Sequence, residues 1–112
     1  MFWLNTAWQV LREAPALHSL IIKRYEDAAD ILEFLFRNCS DLRKLILKSC
    51  DLGVHGTGLL ANIVAFYPDL EVLSLEGCGP LGSAGYCLIS RLKKLSELNL
   101  SHCEVDYMYV NF

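Results

Sequence analysis

The sequence predicts an α/β solenoid, a short horseshoe arc with a parallel sheet on its concave face and helices on its convex face. Three observations predict it. A nine-residue pattern recurs without gaps, its leucines alternate with the period of a strand, and the stretches between copies carry the period of a helix. A chain of 112 residues is about one domain by length. Here that length divides into about four units: 16–40, 41–68, 69–93 and an incomplete 94–112, with 1–15 reading as the end of a preceding unit.

The copies come first, because a period of about 20–29 residues decides the architecture before any element is assigned. They are Leu42-Arg43-Lys44-Leu45-Ile46-Leu47-Lys48-Ser49-Cys50, Leu70-Glu71-Val72-Leu73-Ser74-Leu75-Glu76-Gly77-Cys78 and Leu95-Ser96-Glu97-Leu98-Asn99-Leu100-Ser101-His102-Cys103. Each reads L-x-x-L-x-L-x-x-C. A weaker copy lies upstream in Leu17, Leu20 and Ile22, with Tyr25 where Cys would stand. The leading leucines are 25, 28 and 25 residues apart.

Within each copy, alternation makes a short strand. Leu45 and Leu47 fall on one side, and Lys44, Ile46 and Lys48 on the other. Leu73 with Leu75 and Leu98 with Leu100 follow the same rule. One such strand cannot bury a core alone, so the copies must stack and join their leucines into a continuous spine.

Between strands the period changes. Ala28, Ile31, Leu32, Leu35 and Phe36 follow the i, i+3, i+4, i+7, i+8 template of a helix. Gly56, Leu59, Leu60, Ile63, Val64 and Tyr67 repeat it in the next unit, and Ala84, Cys87, Leu88 and Leu92 do so more weakly in the third. Leu4, Trp8 and Leu11 fit the last helix of a preceding unit. Pro15 and Pro68 stand two residues before a strand-leading Leu, where a proline stops a helix and favours extended chain.

This pattern resembles the leucine-rich repeat family. The ninth-position Cys and the spacing look most like the cysteine-containing repeats of F-box-type leucine-rich proteins, with the ribonuclease-inhibitor type second. The resemblance covers nearly the whole chain. It departs at Tyr25 and at Pro80, where an aliphatic residue is expected two places after the Cys, as Leu52 and Val105 supply elsewhere. The resemblance implies a protein–protein interaction module with no catalysis, bound by a protein partner on the outward positions of the strands. Those positions form three rows: Ser19, Lys44, Val72 and Glu97; Ile21, Ile46, Ser74 and Asn99; Lys23, Lys48, Glu76 and Ser101. Lysines fall in the earlier units and glutamates in the later ones. Lys48 and Glu76 are expected to be cross-strand neighbours, and Ile21 with Ile46 to make an exposed apolar spot. Two finer readings rest on the resemblance alone: the substrate-recognition part of a ubiquitin-ligase receptor, though no F-box segment is visible, and an enzyme inhibitor of ribonuclease-inhibitor type.

The remaining features exclude or weaken other functions. A net charge of -3 gives no bulk attraction to nucleic acid or to an anionic membrane. No apolar run reaches the roughly 18 residues of a transmembrane helix. The N-terminus lacks a basic start and an unbroken apolar stretch, so no secretory signal is read and the cytoplasm or nucleus is expected. The sequons at Asn38 and Asn99 then carry no meaning.

Cys39, Cys50, Cys78, Cys87 and Cys103 form no C-x-x-C pair, and His18, His55 and His102 complete no zinc spacing. They read as reduced, mostly buried thiols, the shared ones filling the turn after each strand. No metal or other cofactor is expected. His102-Cys103 are adjacent in sequence and therefore point apart, which makes them a poor thiol–base pair. Glu26, Asp27 and Asp30 sit at a helix start, where acids favour the dipole.

Gly77-Cys78-Gly79-Pro80-Leu81-Gly82 is a literal G-x-G-x-x-G between a predicted strand and helix, with Glu104 at a plausible distance. It makes a nucleotide-binding enzyme fragment the alternative reading. The competing explanation is a turn that every unit needs, since Gly53, Gly56 and Gly58 occupy the same place one unit earlier. Neither end carries a polar capping unit. The expectation is a fragment, a short isoform or a chain that associates end to end through its uncapped termini.

Overall fold

The spacing of the copies becomes the register of a sheet. In the computed structural model, which describes residues 17–24, 28–50, 56–79 and 83–103, the described elements alternate. They are β1 (Ser19–Lys23), α1 (Ala28–Asn38), β2 (Lys44–Lys48), α2 (Gly56–Phe66), β3 (Val72–Ser74), α3 (Ser83–Ile89) and β4 (Glu97–Asn99). The strands form one sheet in the order β1-β2-β3-β4. Every neighbouring pair is parallel: Leu20 faces Leu45, Leu45 faces Leu73, and Leu73 faces Leu98. Parallel neighbours cannot be joined by a hairpin, so each connection must cross over, and a helix lies in each one. Among the described residues the chain is thus a mixed α/β fold of four parallel strands and three helices.

The same backbone hydrogen bonds recur in each copy. At strand entry, the second-position carbonyl accepts two N–H groups from the next copy. Arg43 and Lys44 donate to His18 O (2.8 and 3.0 Å), Glu71 and Val72 to Arg43 O (2.8 and 3.1 Å), and Ser96 and Glu97 to Glu71 O (2.8 and 3.2 Å). At strand exit the bonds run the other way: Arg24 N–H to Lys48 O (2.8 Å), Ser49 N–H to Glu76 O (2.8 Å) and Gly77 N–H to Ser101 O (3.0 Å).

Those three exit donors, with His102, hold the eighth position of their copies. All four are left-handed, with φ of 54° at Arg24, 53° at Ser49, 67° at Gly77 and 59° at His102. The conformation is costly for a residue with a Cβ. Only one copy places glycine there.

The core follows the alternation. Leu45, Leu47, Leu73 and Leu75 are fully buried, and the leading Leu42 and Leu70 join them. α1 supplies Ile31, Leu32 and Leu35, and α2 supplies Leu59, Leu60, Ile63 and Val64. Tyr67, just past α2, is 1% exposed and donates from its hydroxyl to Cys39 O at 2.9 Å. Cys39 and Tyr67 each stand three residues before a leading Leu, so this bond ties one unit to the next. Phe36 stacks on Phe66 beside it, with centroids 4.9 Å apart and planes 9° apart.

Two expectations change. α3 is shorter than the apolar template, and Ala84 and Cys87 face solvent. Its inward face is Gly85, Ile89 and the half-buried Leu88, followed by Leu92 in the turn. Residues 85, 88, 89 and 92 also satisfy helical spacing, and burial favours Ile89 over a thiol. Leu98 was expected inward with the other leucines but is 45% exposed. Among the described residues β4 has a neighbouring strand, β3, on one side alone. Leu4, Trp8, Leu11, Pro15, Tyr25, Glu26, Asp27, Pro80, Glu104 and Val105 lie outside the described residues.

The longer period of the second unit has a local origin. α1 and α2 are both eleven residues long, and each ends four residues before the next leading Leu. From the ninth position to the helix start, however, the chain runs three residues in one unit (Tyr25 to Ala28) and six in the next (Cys50 to Gly56). The three extra residues are spent between strand and helix.

The left-handed eighth position yields a stability prediction. Ser49→Gly should raise unfolding free energy by roughly 0.5–1 kcal/mol, the conformational relief being partly offset by a freer unfolded chain. Gly77→Ala should lower it by about 1–2 kcal/mol. A Cβ there adopts the same φ and meets Ser49 Oγ at 3.2 Å. In a Ser49→Gly background that loss should shrink, because the facing hydroxyl is gone. Urea titrations of the two single variants and the double variant measure all three.

Candidate functional site

The outward face of the sheet is assembled by the register. Ser19, Lys44, Val72 and Glu97 lie in one row, and Ile21, Ile46, Ser74 and Asn99 in the next. The third row is a strand pair, Lys23 beside Lys48, continued by Glu76 and Ser101 in the turns beyond β3 and β4. Lys48 Nζ reaches Glu76 Oε2 at 3.9 Å. Lys48 is exposed and Glu76 half-buried, and the long pair contributes at most about 1 kcal/mol. Lys23 sits directly beside Lys48, a like-charge juxtaposition that the sheet tolerates rather than favours.

Within these rows exposure is uneven. Ser19, Lys23, Lys48, Glu97, Asn99 and Ser101 are exposed, while Lys44, Ile46, Val72 and Glu76 are half-buried. Ile21 is 46% exposed, so the apolar spot is mainly Ile21, with Ile46 partly sunk. Ser74 departs from the expectation of a solvated partner-binding position: it is only 6% exposed. Its short side chain lies between Ile46 and Asn99 across the sheet and between Val72 and Glu76 along its own strand, and these longer side chains shade it. Glu76 N–H donates to Ser74 Oγ at 3.5 Å. A cavity of about 310 Å³ opens here, with Ile46, Val72, Ser74, Glu76, Glu97 and Asn99 among its lining residues.

The shared cysteines lie beneath the strand exits and form a ladder. Cys50 Sγ donates to Ile22 O at 3.4 Å, Cys78 Sγ to Leu47 O at 3.2 Å, and Cys103 Sγ to Leu75 O at 2.9 Å. Each thiol thus meets the sixth-position carbonyl of the preceding copy. That carbonyl is buried and needs a donor. The hydrogen-bonded Cys50 thiol and then burial push the Cys78 thiol far above the ordinary thiol range. Burial alone pushes Cys39 upward. Burial, and next to it the neighbouring Cys39, do the same to the Tyr67 phenol. These are protonated, inert groups at neutral pH. Cys103 Sγ is turned toward Leu75 O, 28 residues earlier in the chain.

The glycine-rich turn has a second cavity, about 280 Å³, lined by Ser49, Cys50, Gly77, Cys78 and Gly79. Gly77 and Gly79 have φ of 67° and 94°. A phosphate cradle needs free N–H groups. Here Gly77 N–H is bonded to Ser101 O and Cys78 N–H to Leu75 O at 3.1 Å. The remaining motif positions, 80–82, lie outside the described residues.

One exposed feature was not anticipated. Phe66 is 51% exposed while stacked on Phe36. The apolar template of α2 passes through Ile63, Val64 and Tyr67 and skips position 66, which was the available signal. Elsewhere on the surface Asp69 pairs with Arg43 (3.7 Å) and Lys94 (3.4 Å). Among the described residues no helix is long and apolar enough to cross a membrane. Comparison with family models, with curated proteins and with solved structures found no match.

The thiols give two predictions. Against a thiol-reactive dye, Cys87, which is exposed, should react fastest in the folded chain, and Cys87→Ser should remove that phase. Cys39, Cys50 and Cys78 should react only on unfolding. Stability should also fall in alkali. Cys39 and Cys78 stay protonated in the folded chain above the ordinary thiol pKa, whereas the unfolded chain has already released those protons. The stability is therefore complete below the unfolded thiol pKa and declines as pH rises beyond it. Urea midpoints measured across the alkaline range follow this decline.

Proposed function

We propose that the chain is a leucine-rich repeat solenoid segment that acts as a non-catalytic protein–protein interaction module, with its partner on the sheet face. One observation carries the reading: the ladder stacks the outward residues of successive copies into continuous rows of mixed charge and apolar character. Those rows hold Lys23, Lys44 and Lys48 over β1 and β2, Ile21 and Ile46 between them, and Glu76 and Glu97 toward β4. Apolar contacts rimmed by charge are the ordinary composition of a protein interface.

The recurring entry bonds, the left-handed exits and the thiol ladder support a solenoid, because each copy makes the same contacts with its neighbour. The nucleotide reading loses ground on the glycine-rich turn, where two N–H groups are already committed to backbone carbonyls. The ubiquitin-ligase-receptor and inhibitor subtypes rest on the resemblance of the copies. A cytoplasmic or nuclear location follows from the sequence reading alone.

The test is a pulldown from native extract followed by titration of the captured partner. Lys44→Glu and Ile46→Asp should each weaken binding by about 10-fold or more, with the circular dichroism spectrum unchanged. Partner binding that is indifferent to both changes would sink the sheet-face reading.

A further inference from the structure

The cavity over β2, β3 and β4 has a chemistry of its own. Its apolar wall is Ile46 and Val72, both half-buried. Glu97 lies on its exposed side, and among the described residues its carboxylate makes no ion pair. Glu76, at the other end, is turned toward Lys48 at 3.9 Å. Two hydrogen-bond donors line it, Ser74 on the buried floor and Asn99 at the exposed rim. Ser74, more than nine-tenths buried, accepts from Glu76 N–H, and its own hydroxyl proton meets no acceptor among the described residues. Asn99 accepts from the backbone N–H of Ser101 at 2.9 Å and from the Ser101 hydroxyl, both at Oδ1. That leaves the Asn99 amide N–H groups facing no acceptor among the described residues.

These features select for one kind of ligand. The buried Ser74 donor and the Asn99 amide at the rim call for carbonyl oxygens, the apolar wall for a methylene stem, and the unpaired carboxylate for a cation. A lysine or arginine in an extended peptide supplies all three at once, since its stem can lie along apolar surface while its charged head stays at the rim. An acidic segment would set its charge against Glu97 and offer the floor nothing that its backbone does not already give.

We propose that this cavity binds a basic side chain of an extended peptide segment in the partner, with the peptide carbonyls on Ser74 and Asn99 and the cation on Glu97. The proposal rests on the sheet-face reading above and names the partner's chemistry at one end of that face. The cation does not require Glu76, which stays with Lys48. The opposite charge at Lys23 and Lys44 fixes the orientation of the segment, because its basic end is favoured over β4 and disfavoured over β1.

The test begins with a phage-displayed library of random peptides selected on the full chain. The enriched peptide is then synthesised with its basic residue and with norleucine in that place, and both are titrated by fluorescence anisotropy. Enriched peptides should share a lysine or arginine. Norleucine replacement and Glu97→Gln should each weaken binding about 3-fold, and Glu97→Lys about 10-fold. The norleucine effect should vanish in the Glu97→Gln protein, as coupling between two partners requires. Ser74→Ala should weaken binding about 3-fold for either peptide.

Peptides lost on Ile46→Asp but unaffected by Glu97→Lys would leave the sheet-face reading standing and overturn this one. Peptides that survive Ile46→Asp and Lys44→Glu as well would overturn both. Enrichment of acidic sequences, or no enrichment, also overturns the basic-side-chain proposal, and the broader reading then stands or falls on the extract experiment.

Discussion

The left-handed turn at the eighth position is the constraint on which the structure depends. It redirects the chain at the same copy position in all four copies and, from the second copy on, brings the ninth-position thiol under the sixth-position carbonyl of the previous copy. Each such carbonyl thereby gains a thiol donor, and Leu75 O accepts the Cys78 N–H as well. Three of the four positions meet the constraint with Arg, Ser or His, residues that pay a conformational cost there. The compensation comes from the neighbour: each eighth-position N–H in the first three copies donates to the seventh-position carbonyl of the next copy. Local strain is held by contacts that only the neighbouring copy can supply.

Core and surface divide along the pleat. Inward leucines and helix side chains form the core, while outward residues make little contribution to it and are free to vary in charge. That division explains how one face can carry lysines at one end and glutamates at the other without disturbing the fold. Parallel strands bring the same copy position together from every unit, so a difference of one residue between copies becomes a difference of about one strand spacing on the surface, roughly 5 Å.

The parts legible in the sequence were those that repeat. The gapless copies implied the pairing of Lys44 with Ser19 and Val72, and the observed register pairs them in that way. The shared Cys implied a buried thiol in a turn; Cys50 and Cys78 are buried there, and Cys103 is half-buried. What escaped was set by neighbours rather than by pattern. Leu98 carries the same signal as Leu45 and Leu73, yet it is exposed in a strand that, among the described residues, has a neighbour on one side alone. Ser74 reads as an exposed polar residue, but it is shorter than everything around it. Cys87 fits a helical template that α3 does not use, since Ile89 offers more apolar surface. The left-handed conformation was visible only at Gly77. Nothing in Arg24, Ser49 or His102 announces it.

The uneven unit lengths have an evolutionary consequence. All three additional residues of the second unit fall between Cys50 and Gly56, while its strand, its helix and the approach to the next strand keep their lengths. Insertion at that point leaves the hydrogen-bond ladder in phase. The segment joining strand to helix is therefore a neutral reservoir for length change, where new residues can accumulate and diversify while every leucine of the spine keeps its partner.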